Sequence, residues 1–220
     1  MSKVYSFLMV ILFIVAPLAN ADISINGTIT SDYVFRGVSQ TDSSPAVQAG
    51  IDYGHESGLF VGIWASNVDF GDDADAEVDY FIGYLGEVND TFSYDFSYTY
   101  YTYIGYSSSD DSNYGEFVFN GYIDVFTVSL AYTGDYANSG DAAQYIGGAY
   151  DIAFPKEYVL TFQAGYSFGD AFEDIEYIDY SATLAKTFYD FDFSAAVINT
   201  DISNDDNADL RFVIGVSRSF

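Results

Sequence analysis

Apolar and polar residues alternate with a period of two over most of the chain beyond residue 22. In the clearest case, Phe92 to Tyr100, every even position is aromatic, and the odd positions up to Thr99 are small or acidic. A period of two is the repeat of a β-strand whose two faces meet different surroundings. The pattern therefore predicts a protein built from β-strands.

Twelve such segments follow one another, with short and long connections in alternation. The predicted strands are Ile23–Val38, Pro45–Gly54, Gly58–Phe70, Glu77–Val88, Thr91–Ile104, Tyr114–Ile123, Val125–Asp135, Ala142–Phe154, Glu157–Phe168, Glu176–Phe188, Phe191–Thr200 and Leu210–Phe220. Most of them exceed the roughly 9–11 residues that a tilted strand needs to cross a bilayer. Short periplasmic turns and longer outer loops are the rule in outer-membrane barrels, so the connections favour that class.

The last predicted strand keeps its alternation up to the final residue, Phe220. This ending resembles the terminal signal of bacterial outer-membrane proteins, which has an aromatic last residue and a glycine five positions earlier, where Gly215 stands. Gly215 and Phe220 are therefore predicted to form an assembly signal. Arg218 departs from the signal, because an apolar residue is usual at its place.

The first 21 residues have the pattern of a cleaved signal peptide. Lys3 gives a short positive region, Val4 to Leu18 is almost wholly apolar, and Ala19-Asn20-Ala21 fits a small-x-small cleavage site. A transmembrane anchor is the alternative, but the apolar run is about 15 residues and a spanning helix needs roughly 20. We expect residues 22–220 to form one mature domain.

Charge and composition narrow the class further. With Lys3 in the predicted signal, five basic residues remain against 33 acidic ones, for a net charge of −28. This balance excludes nucleic acid as a partner, because a basic patch supplies most of that affinity. One fifth of the residues are aromatic, and aromatic rings are enriched at membrane interfaces. No apolar run beyond the signal could form a spanning helix, so a membrane protein of this sequence must be a barrel.

A soluble β-sandwich or lipocalin-like barrel would also alternate, with its apolar face inward and its Asp and Ser face outward. That alternative does not explain the aromatic last residue or the length of the strands. We therefore expect an all-β fold, a closed antiparallel transmembrane barrel of about 12 strands, with 10 or 14 as the other options.

The polar side of each strand is predicted to line the lumen, because a charge facing lipid at mid-depth costs a few kcal/mol. The pore-lining candidates are Asp32, Arg36, Asp52, Asp79, Asp95, Glu116, Asp151, Asp179, Asp192 and Arg211. A pore lined in this way concentrates cations and repels anions. Aromatic residues at other lumen positions, Trp64, Phe81, Tyr101, Tyr103 and Tyr145, would narrow it.

Two functions fit these residues. One is a narrow, cation-favouring channel for passive passage of small solutes or ions. The other is a structural or adhesive barrel whose lumen is closed by ion pairs of Arg36 and Arg211 with carboxylates. We expect Asp32, Val34 and Arg36 on the lumen face of the first strand, and Asp52 as the first candidate partner of Arg36. An Arg36 at the outer rim, facing lipopolysaccharide phosphate, is the alternative.

A second set of carboxylates falls in the predicted outer loops, namely Asp72, Asp73, Asp75, Asp110, Asp111, Asp135, Asp141, Asp170, Glu173, Asp174, Asp201, Asp205, Asp206 and Asp209. A solvated acidic surface is the favoured interpretation, with weak divalent-cation binding as the other. His55 is the only histidine and falls at a predicted turn. A transition-metal site would need more His or Cys, so we expect no metal, no cofactor and no enzyme activity.

Four stretches in the first third of the chain are distinctive: Ser31-Asp-Tyr-Val-Phe-Arg-Gly-Val-Ser-Gln-Thr41, Pro45-Ala-Val-Gln-Ala-Gly-Ile-Asp-Tyr53, His55-Glu-Ser-Gly58 and Trp64-Ala-Ser-Asn-Val-Asp-Phe70. They resemble the TorF porin family, formerly described as bacterial proteins of unknown function. The resemblance extends to about Tyr84 and implies a channel in the outer membrane of a Gram-negative bacterium. The expected partners are outer-membrane lipid and lipopolysaccharide, the barrel-assembly machinery with periplasmic chaperones, and small solutes or ions.

Overall fold

Twelve long antiparallel strands form a closed barrel in the computed structural model, which describes residues 22–106 and 112–220. The predicted signal peptide lies outside the described residues. The barrel strands are β1 (Asp22–Thr30), β4 (Ala46–Gly54), β5 (Leu59–Asn67), β6 (Ala76–Asn89), β7 (Phe92–Ile104), β8 (Tyr114–Ile123), β9 (Phe126–Thr133), β10 (Ala143–Phe154), β11 (Tyr158–Phe168), β12 (Tyr177–Phe188), β13 (Phe191–Thr200) and β14 (Arg211–Ser219). The predicted number of strands is confirmed.

The barrel closes between its first and last strands. Asn26 to Thr30 of β1 pair with Ser219 to Gly215 of β14. The backbone of Phe220 extends the seam, since its N–H donates to the Ile25 carbonyl (2.8 Å) and its own carbonyl accepts from the Ile25 N–H (3.3 Å). Closure leaves the sheet without an open edge. The role of Gly215 and Phe220 in assembly stays a prediction.

The outward face of the barrel is apolar. Ile82 is 57% exposed and Phe212 is 76% exposed, whereas the inward-facing Asp79 has no exposed surface. A soluble barrel would show the reverse distribution, so the soluble alternative is wrong. Among the described residues, no helix is long and apolar enough to cross a membrane.

The two ends of the barrel differ in their connections. Five connections of two to four residues, at 55–58, 90–91, 124–125, 155–157 and 189–190, lie at one end together with both termini. The other end carries the longer connections, at 31–45, 68–75, 105–113, 134–142, 169–176 and 201–210. The predicted alternation is confirmed. We call the adjoining parts of the lumen the short-turn half and the long-loop half.

The first predicted strand, Ile23–Val38, is wrong in its second half. β1 ends at Thr30, and the chain turns inward as a segment from Ser31 to Ser44, here called the inward hairpin. It contains two short paired strands, β2 (Val34–Phe35) and β3 (Val38–Ser39). The physical reason is a turn inside the predicted strand: Arg36 and Gly37 have positive φ, which reverses the chain and ends the extended backbone.

Candidate functional site

The inward hairpin is closed by a two-residue turn at Arg36 and Gly37. Both residues have positive φ, 46° and 84°, as in the type I′ turns that match the twist of paired strands. Only glycine fits the second place here. A Cβ on Gly37 would lie 2.5 Å from Cγ2 of Thr200 and 2.8 Å from Cβ of Asp179. The turn is therefore packed directly against the barrel wall.

The hairpin crosses the lumen from β1 to the far side of the barrel. Tyr33 packs edge-on against Trp64 of β5, with ring centroids 5.3 Å apart, and Phe35 meets Tyr101 of β7 at 6.2 Å. The Ser39 N–H donates to the Asn207 carbonyl at 2.8 Å. These contacts fix the hairpin to opposite walls, so it occupies the cross-section of the long-loop half.

Arg36 forms the central ion pair of the site. Its two terminal nitrogens donate to the two carboxylate oxygens of Glu116 at 3.0 and 2.8 Å, the bidentate geometry for which a guanidinium is suited. The guanidinium also lies 4.6 Å from the Phe35 ring centroid and 4.5 Å from that of Tyr145. Its side chain is only 8% exposed.

These contacts correct two expectations. Arg36 lies at the turn of the hairpin and not on the first strand, and its partner is Glu116 and not Asp52, which accepts a hydrogen bond from Asn26 at 3.1 Å. The alternative of a rim arginine facing lipopolysaccharide is also wrong, because the side chain points into the protein. Glu116 was among the pore-lining candidates, but no pattern in the sequence indicated that it pairs with Arg36, because the two are 80 residues apart along the chain.

A second ion pair joins Arg211 of β14 to Asp32 of the hairpin at 2.6 Å. Asp32 also accepts hydrogen bonds from the hydroxyls of Ser39 at 2.6 Å and Thr41 at 3.0 Å. Arg211 in turn donates to the backbone carbonyl of Asp206 at 3.2 Å. The Arg211–Asp32 pair therefore ties the hairpin, the last strand and the last long loop together.

Aromatic side chains fill the remaining space in the long-loop half. Two short 3-10 turns, Tyr136–Asn138 and Asp170–Phe172, bring Tyr136 and Phe172 inward. Ring centroids follow one another from Tyr101 to Tyr114 (4.7 Å), Tyr136 (5.1 Å), Phe172 (5.1 Å) and Tyr177 (5.8 Å). The long-loop half is thus packed with side chains, and no residue pattern in these loops predicted that they fold inward.

Two carboxylates of β6 are buried beneath the hairpin. Asp79 has no exposed surface, and Glu77 is 2% exposed. Neither belongs to the two ion pairs of the described residues, Arg36–Glu116 and Arg211–Asp32. Glu77 is absent from the predicted pore-lining set, although its position two residues before Asp79 places both side chains on one face of a strand. That spacing was the signal that could have identified it.

The short-turn half is lined by carboxylates whose hydrogen-bond donors are neutral. Asp95 accepts from the Asn120 amide at 3.1 Å and from the Tyr122 hydroxyl at 2.6 Å. Asp151 accepts from the Thr161 hydroxyl at 2.6 Å. No arginine or lysine pairs with either carboxylate among the described residues. This half therefore keeps a net negative lining.

The other predicted site residues lie in less central positions. Asp179 of β12 is buried and lies 3.5 Å from the Tyr145 hydroxyl. Asp192 lies near the short-turn end of β13 and accepts from the Thr187 hydroxyl at 2.6 Å. All ten predicted pore-lining side chains are on the inward side of the wall or on the hairpin. That they line a conducting pore stays a prediction.

The acidic loop residues serve partly as local caps. Asp72 and Asp205 each accept a backbone N–H of their own loop, and Asp201 accepts the N–H of Ile178 in β12. Asp72 also accepts from the Tyr106 hydroxyl, and partial burial together with this hydrogen bond raises the pKa of Tyr106 to about 12. Asp110 and Asp111 lie outside the described residues. Weak divalent-cation binding by these loops stays a prediction.

His55 is exposed in the first short turn. Its Nδ1 accepts the Ser57 backbone N–H at 3.1 Å and lies 2.8 Å from the Ser57 hydroxyl, so the ring stabilises the turn. In residues 22–106 and 112–220, no group of three or more His, Cys, Asp or Glu side chains is placed to hold a metal ion.

One family model matches nearly the whole sequence. The profile of the Gcw_chp family, described as a bacterial protein of unknown function, matches residues 16–218. The chain belongs to the Gcw_chp family. No curated protein of similar sequence was found.

This Gcw_chp barrel is similar to solved porins in fold. The KdgM porin has a TM-score of 0.59 at 15% identity, with 90% of this chain and 99% of that chain covered. KdgM in complex with disordered oligogalacturonate gives 0.58 at 16% identity, covering 90% and 98%. The NanC porin gives 0.57 at 10% identity, covering 89% and 98%. These likenesses show that the Gcw_chp chain has the fold of an outer-membrane barrel.

Proposed function

We propose that the protein is an outer-membrane channel for passive passage of small solutes or ions, narrow and cation-favouring. The observation that carries the proposal is the lining of the short-turn half, where Asp95 and Asp151 face the lumen with neutral hydrogen-bond donors only. A low-dielectric wall around carboxylates of one sign concentrates cations. The porin fold of KdgM and NanC supports a channel, and the TorF resemblance agrees with it.

The acidic lining also restricts the charge of the solute. One neighbour, KdgM, was solved in complex with oligogalacturonate, whose sugars each carry a carboxylate. A lumen lined with carboxylates repels such a chain at low ionic strength. We therefore propose neutral or cationic small solutes for this protein and not acidic oligosaccharides.

The hairpin sets the width of the channel. It lies across the long-loop half and is held by two ion pairs and by packing against Trp64 and Tyr101. Solutes that pass must move beside the hairpin or displace it. We therefore propose a small single-channel conductance, with the constriction at the outer side of the membrane.

The test is an electrical recording on the mature protein in planar bilayers. We expect a small conductance and a reversal potential that shows cation preference in a salt gradient at low salt. The preference should weaken at 1 M salt, where the Debye length falls to about 3 Å from about 10 Å at 0.1 M. Heat-unfolded protein at equal concentration is the control. Anion preference at low salt would contradict the proposal.

A second function is favoured by one specific observation. The hairpin and the inward-turned Tyr136 and Phe172 leave the long-loop half packed with side chains. A barrel that stays closed in this way would be structural or adhesive. The recording separates the two functions: absence of conductance above background, with the barrel verified as folded by heat-modifiable gel migration, would favour the structural barrel.

A further inference from the structure

Basic residues are scarce in this protein, and their placement is uneven. The described chain has five, at Arg36, Lys156, Lys186, Arg211 and Arg218. Arg36 and Arg211 pair with carboxylates inside the barrel. The other three all lie at the short-turn end: Lys156 in the turn after β10, Lys186 near the end of β12 and Arg218 near the end of β14. The long-loop end instead carries most of the acidic loop residues.

Lys186 and Arg218 are on the lipid-facing side of the wall. In β12 the side chains of Tyr177, Asp179 and Ala185 face inward. Lys186 therefore faces outward, like Leu184 two positions earlier, which is 43% exposed. In β14 Arg218 lies on the same outward face as Phe212 and Ile214, which are 76% and 66% exposed. Two cations therefore stand on a surface that is otherwise apolar, close to the membrane boundary.

Neither cation has a carboxylate partner among the described residues, although acids outnumber bases more than fivefold in the chain. Their neighbours are aromatic. The Lys186 ammonium lies 4.7 Å from the Tyr158 ring centroid and 5.4 Å from that of Phe188. The Arg218 guanidinium lies 5.1 Å from the Phe191 centroid and 4.6 Å from that of Phe220. Aromatic faces orient a cation without neutralising it.

An outward groove of about 370 Å³ adjoins Lys186. Its walls are Tyr158, Leu184, Phe188 and Phe193, and Lys186 supplies the charge. The strand register places Phe193 beside Lys186 on one side and beside Val216 of β14 on the other. Lys186 and Arg218 are thus two strands apart, with Cα atoms separated by roughly 12 Å from the usual strand spacing and rise. Both side chains can reach one lipid headgroup region.

We propose that this surface binds an anionic phospholipid of the periplasmic leaflet. The lipid phosphate lies between Lys186 and Arg218, and the first carbons of an acyl chain lie in the groove against Leu184 and Phe193. The charge complementarity is specific to this end of the barrel, because the two outward cations stand in residues 22–220, whose net charge is −28. Basic residues at the membrane surface attract anionic lipid headgroups.

The test measures lipid retention by native mass spectrometry on the folded barrel in mild detergent. The protein is offered equal amounts of phosphatidylglycerol and phosphatidylcholine with the same acyl chains. We expect wild type to retain phosphatidylglycerol preferentially, and Lys186→Gln and Arg218→Gln each to reduce that preference about fivefold, the effect of roughly 1 kcal/mol per basic residue near an anionic surface. Excess inorganic phosphate should not release the bound lipid.

The controls keep the test independent of folding. Lys156→Gln removes a cation that lies in an exposed turn and does not line the groove, so the preference should not change. Lys186→Arg and Arg218→Lys conserve charge and should keep it. The proposal is overturned if the double variant Lys186→Gln/Arg218→Gln, with normal heat-modifiable migration, retains the wild-type preference. It is equally overturned if Lys156→Gln loses as much, or if inorganic phosphate alone displaces the lipid.

Discussion

The two halves of the lumen are built on one wall but have different contents. In the long-loop half, each inward arginine is matched by a carboxylate, and aromatic rings occupy the rest of the space. In the short-turn half, carboxylates such as Asp95 meet neutral donors only. The strands that form the two halves are continuous. The difference therefore comes from segments that fold inward at one end, chiefly the hairpin from Ser31 to Ser44.

The two halves of the lumen differ in their electrostatic effect on a passing ion. A buried ion pair neutralises its members for any passing ion, so Glu116 and Asp32 contribute little field to the lumen. Carboxylates held by neutral hydroxyls and amides keep their charge available. We infer that the long-loop half limits the conductance, whereas the short-turn half sets the charge selectivity.

The largest expected effect follows from removing the obstruction in the long-loop half. Replacement of Val34–Ser39 by a Gly-Ser segment of equal length leaves the barrel strands unchanged and removes Phe35, Arg36 and the paired strands. Single-channel conductance in planar bilayers should rise severalfold, because the cross-section occupied by the hairpin becomes water. An unchanged conductance in a folded barrel would mean that ions do not take this path.

Breaking the central ion pair is the next largest change. Arg36→Ala leaves the Glu116 carboxylate buried and unpaired, which should lower the free energy of unfolding by about 3–5 kcal/mol. Urea unfolding in micelles measures it. Lys156→Ala, in an exposed turn, is the matched control and should stay within about 0.5 kcal/mol.

The double variant Arg36→Ala/Glu116→Gln sharpens the interpretation. It removes the unpaired charge as well as the pair, so part of the lost stability should return. If the double variant is as unstable as Arg36→Ala, the loss comes from the aromatic packing of the guanidinium against Phe35 and Tyr145, and the ion pair is not the main stabilising contact.

The wall of the barrel could be predicted from the sequence, since lipid and water on opposite sides enforce a strict period of two. Eleven of the twelve predicted strands agree with the structure within three residues at each end. The exception is Ile23–Val38, whose second half leaves the wall and forms the inward hairpin. The period of two identifies only strands that have lipid on one side and the lumen on the other. The hairpin lies inside the barrel and has no lipid-facing side.

The partners inside the lumen could not be predicted for a related reason. Whether a side chain faces inward follows from the alternation along its strand. Its partner across the lumen depends on the strand order and on the register between strands around the whole barrel. Asp52 was the expected partner of Arg36 because it lies on the neighbouring predicted strand, whereas the hairpin carries Arg36 across the lumen to β8 and Glu116. The Arg-Gly pair at positions 36 and 37 is a weaker turn signal than Asn-Gly.

A smaller effect should follow from crowding the tip of the hairpin. Gly37→Ala adds a Cβ within 2.5 Å of Thr200 and also places a side chain at φ 84°, so we expect a loss of about 2–4 kcal/mol in unfolding free energy. Gly71→Ala is the control, because its φ is 76° and no atom lies within 4 Å of the added Cβ. It should lose only about 1–2 kcal/mol. Equal losses would show that the tip is not packed against the wall.

The smallest effect should separate the two halves by ion selectivity. Asp79 and Asp95 are both predicted to line the pore, so Asp79→Asn and Asp95→Asn should lower cation selectivity more than changes in the loops. Asp95 lies in the short-turn half, whereas Asp79 lies beneath the hairpin with no exposed surface. Asp95→Asn should therefore shift the low-salt reversal potential toward zero, and Asp79→Asn should shift it less. Asp205→Asn in the last long loop is the control. If Asp79→Asn shifts the potential more than Asp95→Asn, ions reach the space beneath the hairpin, and the long-loop half also selects their charge.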